Sequence, residues 1–150
     1  NTGQYFQAVK LIRGYYPSAS ITTDIIVGYP TETEEMFENC MKFARKVGFS
    51  DIHVFSYSSR KGTVAGRMPV LPAEVVDDRQ RRLSALKREL ADNYLNKQLG
   101  MPQQVLFETQ CEGLWVGHTP NYVKVYSENG RHNEVRTIIP RRKYSDGLSD

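Results

Sequence analysis

The sequence predicts a two-part α/β protein: a portion cut from a larger parallel sheet or barrel, then, beyond a long helix, a small OB-like β-barrel. Three observations carry this. Helix and strand signals alternate up to Tyr57, and strand–helix–strand order implies parallel pairing through a right-handed crossover. One amphipathic pattern runs from Pro72 to Leu99. From Gln103 onward the hydrophobic period falls to two, in short segments between turn signals.

Taken in order, Phe6, Val9, Ile12 and Tyr16 have helical spacing, so Gln4 to Tyr16 is expected to be a helix ended by Pro17. Ser20 to Val27 is rich in β-branched residues and turns apolar at its end, as a buried parallel strand does. Gly28-Tyr29-Pro30 is a turn. Thr31 and Glu34 have capping-box spacing, with Thr31 as N-cap of a helix that carries Met36, Phe37, Cys40, Ala44 and Val47 on one face. Gly48 suits its end. Asp51 to Tyr57 reads as the second strand, with His53 an interior residue, and residues 58–72 as a long loop with two glycines and two prolines. Two parallel strands do not make a sheet that stands alone, and the first helix has no strand before it. Hence the expectation of a cut piece, residues 1–72, whose open sheet edge invites self-association.

Residues 73–100 are expected to form a connector helix with Val76, Leu83, Leu86, Leu90 and Tyr94 as its stripe and a charged, solvated opposite face. Gly100 and Pro102 stop it. Residues 101–150 form the β-rich unit. Val105 and Phe107 alternate with polar neighbours, Gly113 marks a turn, and Asn121 to Tyr126 alternates cleanly. Asn129-Gly130 signals a hairpin, Val135, Thr137 and Ile139 line another strand, and Asp146-Gly147 is a further turn.

Composition excludes several classes. The chain has 150 residues, 39% hydrophobic and 25% charged, which argues against disorder. No apolar run approaches the roughly 18 residues of a membrane span, and no basic-then-apolar signal opens the chain. Two distant cysteines, Cys40 and Cys111, form neither a metal knuckle nor a disulfide framework, so a reducing cytoplasm is expected. The net charge of +3 is too weak to argue for nucleic acid by itself. The β-rich segment is neutral overall, with a basic run at Arg141, Arg142 and Lys143. Phosphate loops, dinucleotide fingerprints, metal-ligand clusters and nucleophile elbows do not occur.

Three places stand out for chemistry. The turn after the first strand lies where α/β folds bind ligands, at a strand's carboxyl end, and Gly28 would let backbone approach one closely. Glu32, Glu34 and Glu35 crowd the following helix start, so a phosphate is disfavoured there. A hydroxylated ligand, a neutral purine or a positive centre fits better. The second place is the end of the next strand, around Phe55 and Tyr57. The third is the strand from Asn121, where Tyr122, Lys124 and Tyr126 share one face and Val123 and Val125 the other. Two tyrosines flanking a lysine suit base stacking with a nearby phosphate contact.

These residues carry a family likeness. Asp24 to Phe37, with Val27-Gly28-Tyr29-Pro30 and Glu32-Thr33-Glu34-Glu35, resembles the D-x-I-V-G-F-P-G-E-T-E-E-x-F block of the radical S-adenosylmethionine methylthiotransferases. Phe55-Ser56-Tyr57-Ser58 with Arg60, Gly62, Thr63, Ala65 and Met68 resembles their F-x-Y-S-x-R-x-G-T-x-A-x-x-M block. Gly117 to Val125 resembles their TRAM domain, a small RNA-binding barrel.

The resemblance implies the carboxy-terminal portion of a radical-SAM, TIM-like α/β barrel, the connector helix and a TRAM domain. The implied reaction adds a methylthio group to C2 of an N6-modified adenosine, adenosine 37 of tRNA, using S-adenosylmethionine and two 4Fe–4S clusters. His53 to Tyr57 and Asn121-Tyr122 look most like the threonylcarbamoyladenosine branch. The isopentenyl-adenosine and ribosomal-protein aspartate branches, and a non-enzymatic RNA-binding module, are the alternatives. Gly28, Tyr29, Pro30, Phe55 and Tyr57 match cofactor-lining positions and Tyr122 and Lys124 the RNA face, to which strand alternation adds Tyr126 and the basic run adds Arg141 and Arg142 as expected RNA contacts. The family's cluster motif C-x-x-x-C-x-x-C is not in this sequence, and Thr31 stands where the family has glycine. The chain is therefore expected to be inactive alone, to bind no cofactor by itself, to meet tRNA and no membrane, and to supply no catalytic acid, base or metal ligand.

Overall fold

β-Branched residues at Thr22, Thr23, Ile25, Ile26 and Val27 place β1 (Thr22–Val27) in extended conformation. β1 pairs in parallel with β2 (Asp51–Ser56), Ile25 opposite Val54 and Ile26 opposite Phe55. A computed structural model describes all residues, 1–150. The remaining elements are α1 (Thr2–Tyr15), α2 (Glu34–Val47), a 3₁₀ turn at Ala65–Arg67, α3 (Ala73–Asn96), β3 (Gln103–Cys111), β4 (Leu114–His118), β5 (Lys124–Ser127), β6 (Glu134–Ile138), β7 (Arg142–Tyr144) and β8 (Gly147–Ser149). The chain divides into two compact units: residues 1–11 with 21–91, and residues 12–20 with 92–150. The limits fall inside α1 and α3, so the helix read from sequence as a separate connector is shared between the two.

In the first unit α2 is the crossover. Its N-cap is Thr33, whose hydroxyl accepts the Met36 N–H at 3.2 Å, two residues later than the spacing of Thr31 and Glu34 suggests. Glu34 and Glu35 open the helix and Arg45 and Lys46 close it, complementing the helix dipole at both ends. Gly48 caps it in the left-handed conformation. Phe37, Met41, Ala44 and Val47 are buried, whereas Met36, expected on that face, is exposed. The core joins these to Val9, Val27, Ile52, Leu83, Leu86 and Leu90. Of the stripe expected on α1, Val9 is buried, while Ile12 and Tyr16 are exposed.

Parallel strands are ordinarily covered on both faces. Here Ile25, Val27, Ile52 and Val54 meet the helices, and the other face is bare: Ile26 is 56% and Phe55 50% exposed. His53, expected to be interior, lies on that bare face and is exposed. The two-stranded sheet has an open edge on each side.

Arg79 is buried to 4% exposure in the gap that the α3 stripe leaves between Val76 and Leu83. Its guanidinium donates to the Glu32 carboxylate at 2.7 Å and to the Glu32 carbonyl at 3.0 Å, and reaches Glu34 at 3.4 Å. Arg82, one turn on, bonds Glu34 at 2.6 Å, Asp78 at 3.1 Å and Glu38. Both guanidinium groups lie over the Phe37 ring. Arg79 and Arg82 are thus bonded to the start of α2 and the turn before it, while Glu74, Asp77, Arg81 and Arg88 on the opposite face are exposed, as the pattern predicts. Arg82, ahead of Arg79, holds the Glu34 carboxyl below the ordinary range, and Arg82 likewise lowers Asp78.

In the second unit the strands form a six-stranded mixed sheet in the order β6-β3-β4-β5-β8-β7. It is open, with β6 and β7 as edges, and not the closed barrel expected. Glu112 and Gly113 at positive φ make the two-residue β3–β4 turn. Asn129-Gly130 forms no hairpin, because β5 pairs with β4 and β8 while β6 pairs with β3. A Cβ on Gly130 would meet Trp115 at 2.9 Å, so what this glycine supplies is room for the indole. Ile138 at the end of β6 is buried, while Val135 within the strand and Ile139 just beyond it are exposed, one residue out of phase with expectation. Tyr144 pairs with Gly147, so the last turn is Ser145-Asp146, one residue before the expected one. The core is Val105, Phe107, Val123, Val125, Ile138 and Leu148, packed with Tyr94, Leu95, Leu99 and Trp115.

Two outcomes follow from this architecture. Arg79→Ala leaves Glu32 without its cation and opens a hole in the stripe. It should destabilise the first unit by about 3–5 kcal/mol. Because the single tryptophan, Trp115, reports the second unit, the loss should show as faster hydrogen exchange at β1 and β2 amides. Arg82 lowers the Glu34 and Asp78 carboxyls, so their contribution is complete above the unfolded carboxylate range and is lost as pH falls through the lowered folded values. Exchange protection should fall with acidification less steeply in Arg82→Ala.

The bare edges of β1 and β2 should make the chain self-associate at tens of micromolar. Sedimentation velocity across that range checks this. A monomer throughout would mean the edges are guarded.

Candidate functional site

The first candidate lies at the carboxyl ends of β1 and β2. Gly28 has φ +81° and donates its N–H to the Glu32 carboxylate at 2.8 Å, the same oxygen that Arg79 holds. A Cβ at Gly28 would sit 2.8 Å from a Val76 methyl on α3. Gly28 is therefore required by helix packing and backbone conformation. Two of the acidic residues behind it, Glu32 and Glu34, answer arginines. Tyr29 and Pro30 complete the turn, with the Tyr29 carbonyl accepting the Glu32 N–H at 2.8 Å.

Tyr29 meets Tyr57 edge to face, ring centroids 5.5 Å apart. Beside them is a groove of about 480 Å³ floored by Ile26, Phe55 and Tyr57, with Ser56, Ser58 and Arg60 on its walls. Of the five residues expected here, Phe55 and Tyr57 line the groove and Tyr29 touches it through Tyr57. Gly28 and Pro30 are not part of the lining. The Tyr57 hydroxyl oxygen is buried and has no hydrogen-bond partner, which costs about 1–3 kcal/mol unless something else supplies one. Ser56 is held by Gln80 at 3.0 Å, fixing the strand end.

The second candidate is in the other unit. Thr119 and Val123 close a tight loop: the Thr119 hydroxyl accepts the Val123 N–H at 2.9 Å, and the Thr119 carbonyl accepts the Tyr122 N–H at 2.9 Å. Asn121 braces it from within. Its amide donates to Ser18 O at 3.0 Å and to the Tyr94 hydroxyl at 2.9 Å, and its oxygen accepts from Thr119 at 2.5 Å. Burial, foremost, pushes the Tyr94 hydroxyl up. The loop presents Tyr122 at φ +62°, 85% exposed. A bulky side chain in this conformation persists only when its surroundings over-determine it.

Tyr122 therefore precedes β5 and does not share a strand face with Lys124 and Tyr126. Tyr126 is only 7% exposed. Its hydroxyl donates to Asp146 at 2.6 Å and its ring packs on Tyr144, so it offers no open face to a base. Lys124 is bonded to Asp146 at 2.5 Å. Lys124, then Tyr126, hold the Asp146 carboxyl below its usual range, and Asp146 in turn raises both partners. Arg141 and Arg142 are exposed, and Arg142 donates to Ser149 at 2.9 Å. The structure thus leaves Tyr122, Arg141 and Arg142 outward-facing and engages Lys124 and Tyr126 internally.

Sequence reasoning missed the Arg79–Glu32–Gly28 link and the Asn121 network. The missing apolar residue at position 79 of the α3 stripe was a usable signal for the first.

No family model matches the chain. Individual proteins do. The chain is 38% identical over 122 residues to a tRNA-2-methylthio-N(6)-dimethylallyladenosine synthase of Chloroflexus aurantiacus, covering 78% of the chain and 26% of that protein. It is 40% identical over 142 residues to the threonylcarbamoyladenosine tRNA methylthiotransferase MtaB of Bacillus subtilis, covering 87% and 32%. A tRNA-2-methylthio-N(6)-dimethylallyladenosine synthase of Bacillus cereus is 43% identical over 136 residues, covering 90% and 25%. The chain spans about a quarter to a third of the length of these curated relatives.

Gly28→Ala should destabilise the first unit by about 2–4 kcal/mol, through left-handed strain and the Val76 clash. Adding Val76→Ala should restore the clash part and leave about 1–2 kcal/mol of strain. Equilibrium urea unfolding of the two variants checks it. A Gly28→Ala protein as stable as the parent would return Gly28 to a ligand role.

Proposed function

This chain belongs, across the stretch it spans, to the tRNA methylthiotransferases, and from that premise we propose that it is part of an enzyme that adds a methylthio group to C2 of an N6-modified adenosine in the tRNA anticodon loop. The observation that carries the reading inside the fold is the bare second face of β1–β2, with an unpartnered Tyr57 hydroxyl at its carboxyl end. A parallel sheet with one open apolar face is what a strand pair taken from a barrel wall would be, its inner face turned to a ligand.

The residues here fit an adenosyl group. Ile26 and Phe55 would take the flat face of a purine, Tyr57 would hydrogen-bond a polar atom, and Tyr29 would hold the Tyr57 ring in place. Bound S-adenosylmethionine with two 4Fe–4S clusters would supply the radical chemistry that activates a C–H bond. The chain does not fit the clusters: it has two cysteines, Cys40 and Cys111, and no three His, Cys, Asp or Glu grouped to hold a metal. What it does is line, orient and exclude water. Tyr122, Arg141 and Arg142 would face the RNA. A cytoplasmic enzyme is proposed, in keeping with a tRNA substrate; no helix is long and apolar enough to cross a membrane.

The proposed nucleoside is N6-threonylcarbamoyladenosine, supported by the His53–Tyr57 block and by the 40% identity to MtaB over 142 residues. Identities of 38–43% to dimethylallyladenosine synthases favour the isopentenyl branch as the second reading. The test is mass spectrometry of tRNA nucleosides from a host lacking its own methylthiotransferases and expressing the whole gene that carries this segment. The 2-methylthio form of threonylcarbamoyladenosine is expected, and Phe55→Ala should reduce it by about tenfold or more. The isopentenyl product instead would select the second reading. Neither product would end the proposal.

A further inference from the structure

A second cavity, of about 380 Å³, opens on the outer face of the six-stranded sheet. Its floor is Leu106, which lies directly across from Val135 on β6 and from His118 on β4. Leu106 is 37% and Val135 60% exposed, and Pro120 extends the apolar floor. Alternation along a half-solvated strand favours polar residues at these places, and the apolar residues Leu106, Val135 and Pro120 are instead grouped at one cavity. Tyr122 stands at the rim, its ring 6.2 Å from the His118 ring.

A β-bulge supplies the polar wall. The β3–β4 register shifts between Phe107 and Thr109, at Glu108. The Glu108 carbonyl is held by His132 Nδ1 at 2.7 Å, and one carboxylate oxygen accepts from His118 Nδ1 at 2.9 Å. The Glu108 side chain is half exposed, so its carboxylate can also accept an N–H from outside. The cavity therefore combines an apolar floor, an aromatic lip braced in a strained conformation and a carboxylate acceptor.

Charge decides the occupant. A carboxylate repels phosphate but accepts strongly from an amino group on a base edge. The floor and the Tyr122 ring suit a flat π-face. We infer that this cavity holds one unstacked RNA base and reads its amino group through Glu108, so that cytosine and the amino-bearing purines are favoured over uracil. Uracil sets carbonyl acceptors on both sides of its one N–H, and these face the carboxylate unfavourably. The inference rests on the tRNA reading above and assigns a specificity-determining residue within it.

Cytosine and uracil differ in little but this amino-for-carbonyl exchange, which makes them the probe. Fluorescence anisotropy of the whole chain with labelled oligo(C) and oligo(U) of equal length measures both affinities at one salt concentration. Oligo(C) is expected to bind about tenfold more tightly, the effect of one charge-assisted hydrogen bond. Tyr122→Ala should weaken both. Glu108→Gln should bring the two within about twofold, with oligo(U) binding retained or strengthened because a negative charge is removed. Circular dichroism confirms that the variants fold. Equal binding of both oligomers by the parent, or a preference that survives Glu108→Gln, would overturn the base pocket while leaving RNA binding in place. If neither oligomer binds, the RNA reading beneath it fails as well.

Discussion

One carboxylate holds the first unit's functional end in place. Glu32 accepts the Gly28 N–H and the Arg79 guanidinium with the same oxygen, tying the end of β1 to a residue in the stripe of α3. The turn that follows β1 would otherwise have an orphan amide and a free conformation. With the link made, Gly28 lies flat against Val76, Tyr29 is set against Tyr57, and α2 starts two residues later than its threonine spacing allows. A buried ion pair is weak evidence for net stability, since desolvation opposes it. Its use here is positional. It fixes the height of the strand end relative to the helices, and the groove floor inherits that height.

The same unit explains why its outer face is apolar. Ile26 and Phe55 sit opposite each other in register, on the face that the helices do not cover. An isolated soluble sheet would place polar residues there. The buried and unpartnered Tyr57 hydroxyl repeats the message at one atom: a donor and acceptor has been withdrawn from water without a protein partner. Both features are costs to this chain taken alone, and both would become contacts if the proposed ligand, with an aromatic ring and polar edges, lay in the groove.

Element types were legible because the hydrophobic period changes sharply at Gln103, and because Gly48 and Gly113 occupy left-handed positions that few other residues tolerate. The failures have a common cause: local rules were outbid by distant partners. Thr31 and Glu34 obey the capping box, yet Glu32 between them is claimed by Arg79, 47 residues away. Asn129-Gly130 obeys the hairpin rule, yet β5 finds β8 in parallel instead of β6. Alternation from Asn121 to Tyr126 places Tyr122 and Tyr126 on one face. But Thr119 and Asn121 bind the loop before β5 begins, so Tyr122 leaves the strand and Tyr126 turns inward to Asp146. The family resemblance singled out Phe55, Tyr57 and Tyr122, of which Phe55 and Tyr122 are exposed and Tyr57 is half-buried in the groove, where spacing alone gave no ranking.

The two cysteines complete the division of labour. A cysteine that ligates a cluster does so as the thiolate. Burial, and then the nearby Glu32 carboxylate, push the Cys40 thiol up, which makes its thiolate scarce at neutral pH. Cys111 is exposed at the end of β3, in the other unit, next to the β3–β4 turn. Neither has the two further donors nearby that an iron–sulfur cluster requires. A chain so provided does not fit an iron–sulfur cluster, whereas the groove beside Phe55 and Tyr57 and the exposed Tyr122 fit the placement roles proposed for them. Within the proposed enzyme, electron transfer and substrate placement would therefore rest on different stretches of polypeptide, with placement the part proposed for this chain.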